Sequence, residues 1–167
     1  MWCIDPAKPG FKNPDDVRDL TPLGQSFKVT VSNVNSGHFW YLGGVVKPKP
    51  EADREVAFGR ILSTVAVGNG LVYAAELDGY IHCLDAKTGK KYWQFDLKYR
   101  TWSSSFLADG KVHLGKDSGD LFVFKHGKDL KNPSQIKMDQ VLKSSPCHAG
   151  GFPYSHNGIS LFAIGNR

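Results

Sequence analysis

The sequence of 167 residues lacks the residue clusters by which catalytic and metal sites are usually recognised. Its three cysteines, Cys3, Cys83 and Cys147, form no adjacent pair and no metal-type spacing, so we predict neither a disulfide framework nor a zinc site. The six histidines show no H-x-x-x-H or H-E-x-x-H spacing, and the serines form no G-x-S-x-G turn. From the sequence we therefore assign no catalytic, cofactor-binding or metal-binding residue.

Long hydrophobic runs and blocks of one charge are also missing. The segment Met1–Asp5 has the pattern of a strand and not of a signal peptide, and no apolar stretch is long enough to span a membrane. The net charge of +5 is spread over scattered lysines, a pattern that favours solubility. We therefore expect neither a nucleic-acid partner nor a membrane span.

What the sequence does contain is an internal repeat with an interval of 40 residues. A shift of 40 aligns the dipeptides Asn69-Gly70 with Asp109-Gly110 and Asp78-Gly79 with Ser118-Gly119. Such dipeptides favour tight hairpin turns, because glycine, asparagine and aspartate tolerate a positive φ. Short strands and turns that repeat every 40 to 45 residues or so are typical of β-propeller blades.

One strand of each repeat is apolar at every position except His82. It lies at Ile81–Leu84, Leu121–Phe124 and Leu161–Ile164, and Met1–Ile4 joins the same register at an offset of 80. Because adjacent residues of a strand point to opposite faces, this pattern predicts burial on both sides, as in a blade between two other blades.

The fold class that these features predict is all-β, a partial β-propeller of about three four-stranded antiparallel blades with a 40-residue repeat. In the clearest repeat we expect strands at Ile61–Val67, Leu71–Ala75, Tyr80–Leu84 and Tyr92–Asp96. The predicted division is a degenerate blade remnant with an inserted loop and a Pro-rich linker at 1–58, blades at 59–98 and 99–142, and an incomplete C-terminal blade at 143–167.

The first third of the chain breaks this rhythm with six prolines among polar residues. We interpret Asn13–Gly37 as an insertion with a short hairpin at Phe27–Val31, followed by an outer strand at His38–Leu42. The run Lys47–Pro50 then forms an extended linker. The insertion is either a decorated loop or a loop that contacts a partner.

The stretch Cys83–Trp93 matches the pattern A-x-D-x-x-T-G-x-x-x-W, with Cys83 in place of the first alanine. It resembles the tryptophan-docking repeat of the pyrroloquinoline-quinone (PQQ) dehydrogenase-like propellers, and the resemblance covers roughly Phe58 to Ile164. It implies structural roles for Asp85, Thr88 and Gly89 in the turn and for Trp93 in packing against the next blade. In the following repeat, Lys125–Lys128 replaces the Asp and Thr-Gly, and no tryptophan follows.

The family that the chain resembles contains PQQ-dependent alcohol and glucose dehydrogenases and also non-catalytic members, such as a bacterial outer-membrane assembly lipoprotein. The enzymes carry an adjacent Cys-Cys pair beneath the quinone, which this sequence lacks. We interpret the chain as a non-catalytic scaffold or protein-interaction segment without cofactor. The alternative is the C-terminal part of a dehydrogenase whose PQQ and calcium lie in blades outside this chain. The resemblance implies a periplasmic or exported protein.

A third interpretation is a propeller that binds carbohydrate or small anions through Trp40, Trp102 and arginines at loop ends. Arg60 and Arg100 are 40 residues apart, and each precedes an inner strand. With Lys143 they would form a partial cationic ring for an anionic ligand or for partner carboxylates. Pairing with Asp or Glu of neighbouring turns is the structural alternative.

Three blades are fewer than the four to eight or so of a closed propeller. An open array exposes an apolar face at each end, which is unfavourable. We therefore expect a protein partner, the remaining blades of a longer propeller, or self-association to cover these faces.

Overall fold

The computed structural model of the chain describes residues 1–5, 23–26, 29–32, 38–43 and 58–165. Every regular element in these residues is a β-strand, so the predicted all-β fold is confirmed. The strands are β1 Trp2–Ile4, β2 Leu23–Ser26, β3 Val29–Ser32, β4 His38–Tyr41, β5 Ala66–Gly68, β6 Leu71–Ala75, β7 Tyr80–Asp85, β8 Lys91–Asp96, β9 Phe106–Ala108, β10 Lys111–Lys116, β11 Asp120–Lys125, β12 Ser134–Lys137, β13 Cys147–Ala149, β14 Phe152–His156 and β15 Leu161–Ala163.

The strands from β5 onward form three antiparallel meanders, which are the blades of a partial propeller. The order is β5-β6-β7-β8 in the first blade, β9-β10-β11-β12 in the second and β13-β14-β15 in the third. Two of the hairpins turn at Asn69-Gly70 and Asp109-Gly110, where all four residues have positive φ, 46° and 76° in one turn and 48° and 68° in the other. Two consecutive positive φ angles give the twist that two-residue hairpins need. The exact blade boundaries given by the sequence stay a prediction.

The third strands of the first two blades are buried on both faces, as predicted. Ile81, Cys83 and Leu84 of β7 are fully buried, and so is Leu121 of β11. Ile81 and Cys83 join a core that includes Trp93 and Phe124, and Leu121 packs in a second cluster with Met138 and Leu142. By contrast, Leu161 of β15 is 68% exposed, so the double burial does not extend to the third blade.

The inner strand of the first blade is shorter than expected. The prediction began it at Ile61, but β5 begins at Ala66. Ile61 and Leu62 are exposed, and Ser63 and Thr64 bond to the next blade through Ser103 and Ser104 and not to their own sheet. Contact between blades has therefore replaced sheet pairing over this segment.

Residues 1–58 form, together with Lys87–Gly89, a separate compact unit. In it β1 pairs with β4, and the predicted outer strand at His38–Leu42 is seen as His38–Tyr41. Cys3 stands opposite Trp40, with a register shift after Cys3, just as Cys83 stands opposite Trp93 with a shift after Cys83. The pair β1-β4 thus has the register of the two outer strands of a blade.

The predicted insertion contains the antiparallel pair β2-β3, and the hairpin expected at Phe27–Val31 lies between the first residue of β2 and the last residue of β3. The rest of Asn13–Gly37 and the linker at Lys47–Pro50 lie outside the described residues. Among the residues described, no helix combines the length and the apolar character that crossing a membrane requires.

Candidate functional site

The side chain of Trp93 in β8 connects the first blade to the second. Its indole is 7% exposed, and Nε1 donates a hydrogen bond to the main-chain oxygen of Gly127 at 3.0 Å. The ring stacks on Phe124 of β11 with 5.8 Å between centroids and contacts Tyr73 at the same centroid distance. A large apolar ring and a satisfied N–H together make this a strong contact between neighbouring blades.

Tyr73 and Cys83 complete the surface that receives the turn at His126 and Gly127. The Tyr73 hydroxyl accepts the Gly127 N–H at 2.9 Å and lies 2.9 Å from His126 Nδ1, to which it can donate its proton. Burial raises the pKa of Tyr73 to about 12. The Cys83 thiol lies 3.6 Å from the Gly127 oxygen, and burial raises its pKa to about 11. Both groups are therefore protonated at neutral pH and act as packing and hydrogen-bonding groups.

The other predicted motif residues lie in the turn between β7 and β8. Asp85 ends β7, and its carboxylate accepts a hydrogen bond from the Tyr92 hydroxyl at 2.8 Å. Thr88 is exposed in the turn. Gly89 has φ +70°, and a Cβ built there would lie 2.5 Å from Cε3 of Trp40, so this position has no room for a side chain. Asp85 and Gly89 thus have close contacts in this turn, and the roles expected for the four motif residues stay a prediction.

A second set of bonds connects the blades at their inner ends. The Ser63 hydroxyl donates to the main-chain oxygen of Ser103 at 2.8 Å, and the Thr64 N–H donates to Ser104 Oγ at 2.9 Å. The Ser104 N–H in turn donates to Ser145 Oγ at 2.9 Å, which carries the same contact one blade further. Ser63 and Ser103 are 40 residues apart and Ser104 and Ser145 are 41 residues apart, and this recurrence was the available signal in the sequence.

The predicted cationic residues do not come together in one site. Arg60 and Arg100 do occupy equivalent backbone positions, because the carbonyl of each accepts an N–H, from Leu77 at 2.8 Å and from Asp117 at 2.9 Å. The Arg60 guanidinium lies 3.8 Å from the Asp78 carboxylate, which is the structural alternative foreseen for it. Arg100 lines a cavity of about 380 Å³ together with Asp78 and Asp117.

Lys143 is exposed and does not line that cavity. The surroundings of Arg100 therefore carry both signs of charge, and the partial cationic ring stays a prediction.

A buried polar pair lies inside the first blade and was not predicted. Glu76 and His82 have side chains with no exposed surface, and Glu76 Oε1 contacts His82 Nε2. Burying a polar group costs free energy unless the group has a hydrogen-bonding partner, and each of these two side chains is the partner of the other. The signal in the sequence for the partner of His82 was a glutamate directly after the apolar strand Leu71–Ala75. The described part of the chain holds no group of three or more His, Cys, Asp or Glu side chains arranged for a metal ion.

Four-stranded meanders joined at a 40-residue interval define a β-propeller segment. No family model matches the chain. Quinohemoprotein alcohol dehydrogenase ADH-IIG of Pseudomonas putida is 31% identical over 87 residues, a match that covers 46% of this chain and 12% of the enzyme. The chain therefore corresponds to a small part of that relative.

Two solved structures share the fold. BamB from Moraxella catarrhalis matches with a TM-score of 0.51 and 18% identity over 59% of this chain and 30% of that one. Quinohemoprotein alcohol dehydrogenase ADHIIG from Pseudomonas putida HK5 matches with a TM-score of 0.52 and 18% identity over 60% of this chain and 17% of that one. At this level of identity the two structures support the β-propeller fold of this chain.

Proposed function

We propose that the chain is a non-catalytic segment of a larger PQQ-like propeller and serves as a scaffold or protein-interaction module. The observation that carries this proposal is the engagement of Trp93, whose buried indole bonds to Gly127 of the next blade. In this proposal Asp85, Thr88, Gly89 and Trp93 form a tryptophan-docking motif, and its receiver is the turn at Gly127.

The proposed partner surface is the connection between β8 and β9. It carries Tyr99, 53% exposed, and Trp102, 40% exposed, on either side of the exposed Arg100. Tyrosine, tryptophan and arginine are the residue types that contribute most to protein interfaces. The anion contact of Arg60, Arg100 and Lys143 is retained as a proposal in which Arg100 is the main contributor, because Arg60 already faces Asp78.

The second candidate is a part of a PQQ-dependent dehydrogenase. The 31% identity to a quinohemoprotein alcohol dehydrogenase favours it. In this case PQQ and calcium would be held by blades outside the chain. A periplasmic or exported location is proposed for both candidates, on the basis of the family resemblance, and fractionation of the source cells tests it.

Quinone binding by the full-length protein separates the two candidates. The protein is titrated with PQQ in the presence of Ca²⁺, and reduction of an artificial electron acceptor is followed with primary alcohols and with glucose. For a scaffold we expect neither saturable quinone binding nor acceptor reduction. One quinone bound per chain together with alcohol-dependent reduction would overturn the scaffold proposal in favour of the dehydrogenase.

A further inference from the structure

A cavity of about 560 Å³ lies between the second and third blades. Its wall includes His113, Val123, Ser134, Ile136 and Ile164. We call this cavity the open slot. It occupies the place in the second blade that Trp93 occupies in the first, as the strand registers establish.

The registers relate each wall residue to a residue around Trp93. Val123 pairs with His113 and Ser134, as Cys83 pairs with Tyr73 and Trp93. Ser134 therefore stands where the first blade has its indole.

The remaining wall follows the same correspondence. Ile136 pairs with Leu121 as Phe95 pairs with Ile81, and Ile164 follows Phe124 by 40 residues. Phe95 and Phe124 of the first pair of blades thus correspond to the aliphatic Ile136 and Ile164, while the indole itself is replaced by a hydroxymethyl group. A space left in this way, which both apolar and polar side chains line, can take a small aromatic molecule.

His113 adds a polar acceptor to the slot. The residue is 4% exposed, and Nδ1 has no hydrogen-bond partner among the described residues. Burial lowers the pKa of His113, an effect opposed by its hydrogen bond to the Phe106 backbone. Because the ring is neutral and its other nitrogen serves Phe106, Nδ1 is left as an acceptor.

The mouth of the slot is polar on one side and aromatic on the other. His148 Nε2 lies 3.1 Å from Asp109 Oδ2, and Lys111 is beside them in the wall. The Phe152 ring, 46% exposed, faces the same cavity. A flat ring can therefore enter past Phe152 while a polar attachment stays at the mouth.

We propose that the open slot binds a flat heteroaromatic group of indole size, whose ring N–H is donated to His113 Nδ1. Such a group is either the side chain of a tryptophan in a partner or a free indole-type molecule. This inference goes beyond the scaffold role and holds for either candidate function.

The test is calorimetric titration of the 167-residue chain with indole and with benzofuran, which has the same shape without the N–H. We expect saturable, one-to-one binding of indole with a Kd of about 1 mM, the range for a fragment of nine non-hydrogen atoms. Benzofuran should bind roughly tenfold more weakly, because the His113 acceptor stays unsatisfied. Non-saturable binding of indole would overturn the proposal.

Two variants locate the binding. Ser134→Trp fills the slot and should abolish indole binding, whereas Lys131→Trp adds an indole at an exposed position and should leave it unchanged. His113→Leu should retain binding but lose the preference for indole over benzofuran. Far-UV circular dichroism verifies the fold of each variant. If Ser134→Trp does not fold, the proposal is tested by whether His113→Leu loses the preference for indole over benzofuran. Equal indole affinity in the wild type and in a folded Ser134→Trp variant would contradict the assignment.

A further titration distinguishes the two sources of the ring. N-acetyltryptophanamide that binds more tightly than indole supports the slot as a receiver for a partner's tryptophan, since the amides then add contacts with the polar mouth. Weaker binding of the amide supports a free heteroaromatic ligand. A complete lack of binding by both compounds would overturn the proposal.

Discussion

The indole nitrogen of Trp93 lies 3.0 Å from the main-chain oxygen of Gly127, so a side chain of one blade is bonded to the backbone of the next. At the inner end of the same pair of blades, the Thr64 N–H bonds to Ser104 Oγ. The first and second blades are thereby fixed to each other at two places along their length. In repeat architectures such contacts between neighbours supply much of the stability, since one repeat alone buries too little surface.

Replacing Trp93 should destabilise the chain in two separable steps. Trp93→Phe keeps an aromatic ring but leaves the Gly127 oxygen without this donor, and we expect a loss of about 1–3 kcal/mol in unfolding free energy. Trp93→Ala also removes the packing against Phe124, for a loss of about 3–5 kcal/mol. Urea unfolding followed by circular dichroism measures both.

Trp102→Phe is the matched control, because Trp102 is 40% exposed. It should change stability by less than about 0.5 kcal/mol. Equal effects of Trp93→Phe and Trp102→Phe would mean that the Gly127 bond contributes nothing.

Gly89→Ala should be more damaging than Gly70→Ala. Both glycines have similar positive φ, +70° and +76°, so an alanine costs about 1–2 kcal/mol of backbone strain at either position. Only at Gly89 would the new Cβ meet the Trp40 ring, while nothing lies within 4 Å at Gly70. We expect the Gly89 variant to lose a further 1–3 kcal/mol or so from overpacking. Thermal unfolding of the two variants side by side provides the comparison, and identical midpoints would argue against the Trp40 contact.

The blade architecture was predictable because its signals are local. Turn dipeptides such as Asn69-Gly70 and strands such as Ile81–Leu84 carry their conformational preferences within a few residues, and the 40-residue interval repeats them. The start of β5 was misplaced for the opposite reason. Ile61 and Leu62 have the composition of a strand, but the partners of Ser63 and Thr64 lie 40 residues away in the next blade.

The contacts of the site residues were harder to predict from the sequence, because their partners also lie far away along the chain. The motif pointed to Trp93 but not to its acceptor, because Gly127 lies in a stretch that departs from the motif. The pairing of Arg60 with Asp78 was foreseen only as an alternative, since charge partners depend on how turns meet in space. The open slot required the register of β11 with β12, which sequence alone does not fix.

Binding of an acidic peptide should depend more on Arg100 than on Arg60. The Arg60 guanidinium lies 3.8 Å from the Asp78 carboxylate, so the charge of Arg60 is partly compensated before any ligand binds. We expect Arg100→Met to weaken binding of a polyglutamate peptide about two- to fivefold at low salt, and Arg60→Met to have a smaller effect. Fluorescence anisotropy of a labelled peptide measures this, with Lys131→Met as the control. Unchanged affinity in the double variant Arg60→Met/Arg100→Met would end the anion-contact proposal.

Cys83 and Cys147 should differ in their reaction with iodoacetamide. Cys147 is exposed, whereas Cys83 is buried and burial raises its pKa to about 11. Because the thiolate is the nucleophile, Cys83 should react at least tenfold more slowly than Cys147 at pH 8. Peptide mapping over time gives the two rates. In urea the two cysteines should react at similar rates. Fast labelling of Cys83 in the native protein would contradict the prediction and would show that the blade contact at Gly127 opens readily.

Asp120 should contribute to stability in a way that depends on acid pH. Burial alone would raise the pKa of Asp120, but hydrogen bonds from Gln135, Ser118 and Lys116 outweigh it and lower the pKa. A carboxylate with a lowered folded-state pKa stabilises the fold above its unfolded pKa of about 3.9, and the contribution is lost as pH falls through the folded value.

Lys116 Nζ lies 3.0 Å from Asp120 Oδ2, and both side chains are largely buried. Asp120→Asn leaves Lys116 without this carboxylate, so we expect a loss of about 1–3 kcal/mol at pH 7. Between about pH 4 and pH 2 the wild type should lose stability more steeply than the variant, because the variant has no such carboxylate to protonate. Urea titrations at several pH values measure this, with the exposed Asp129→Asn as the control. Parallel stability curves for the wild type and Asp120→Asn below pH 4 would exclude Asp120 as the source of acid sensitivity.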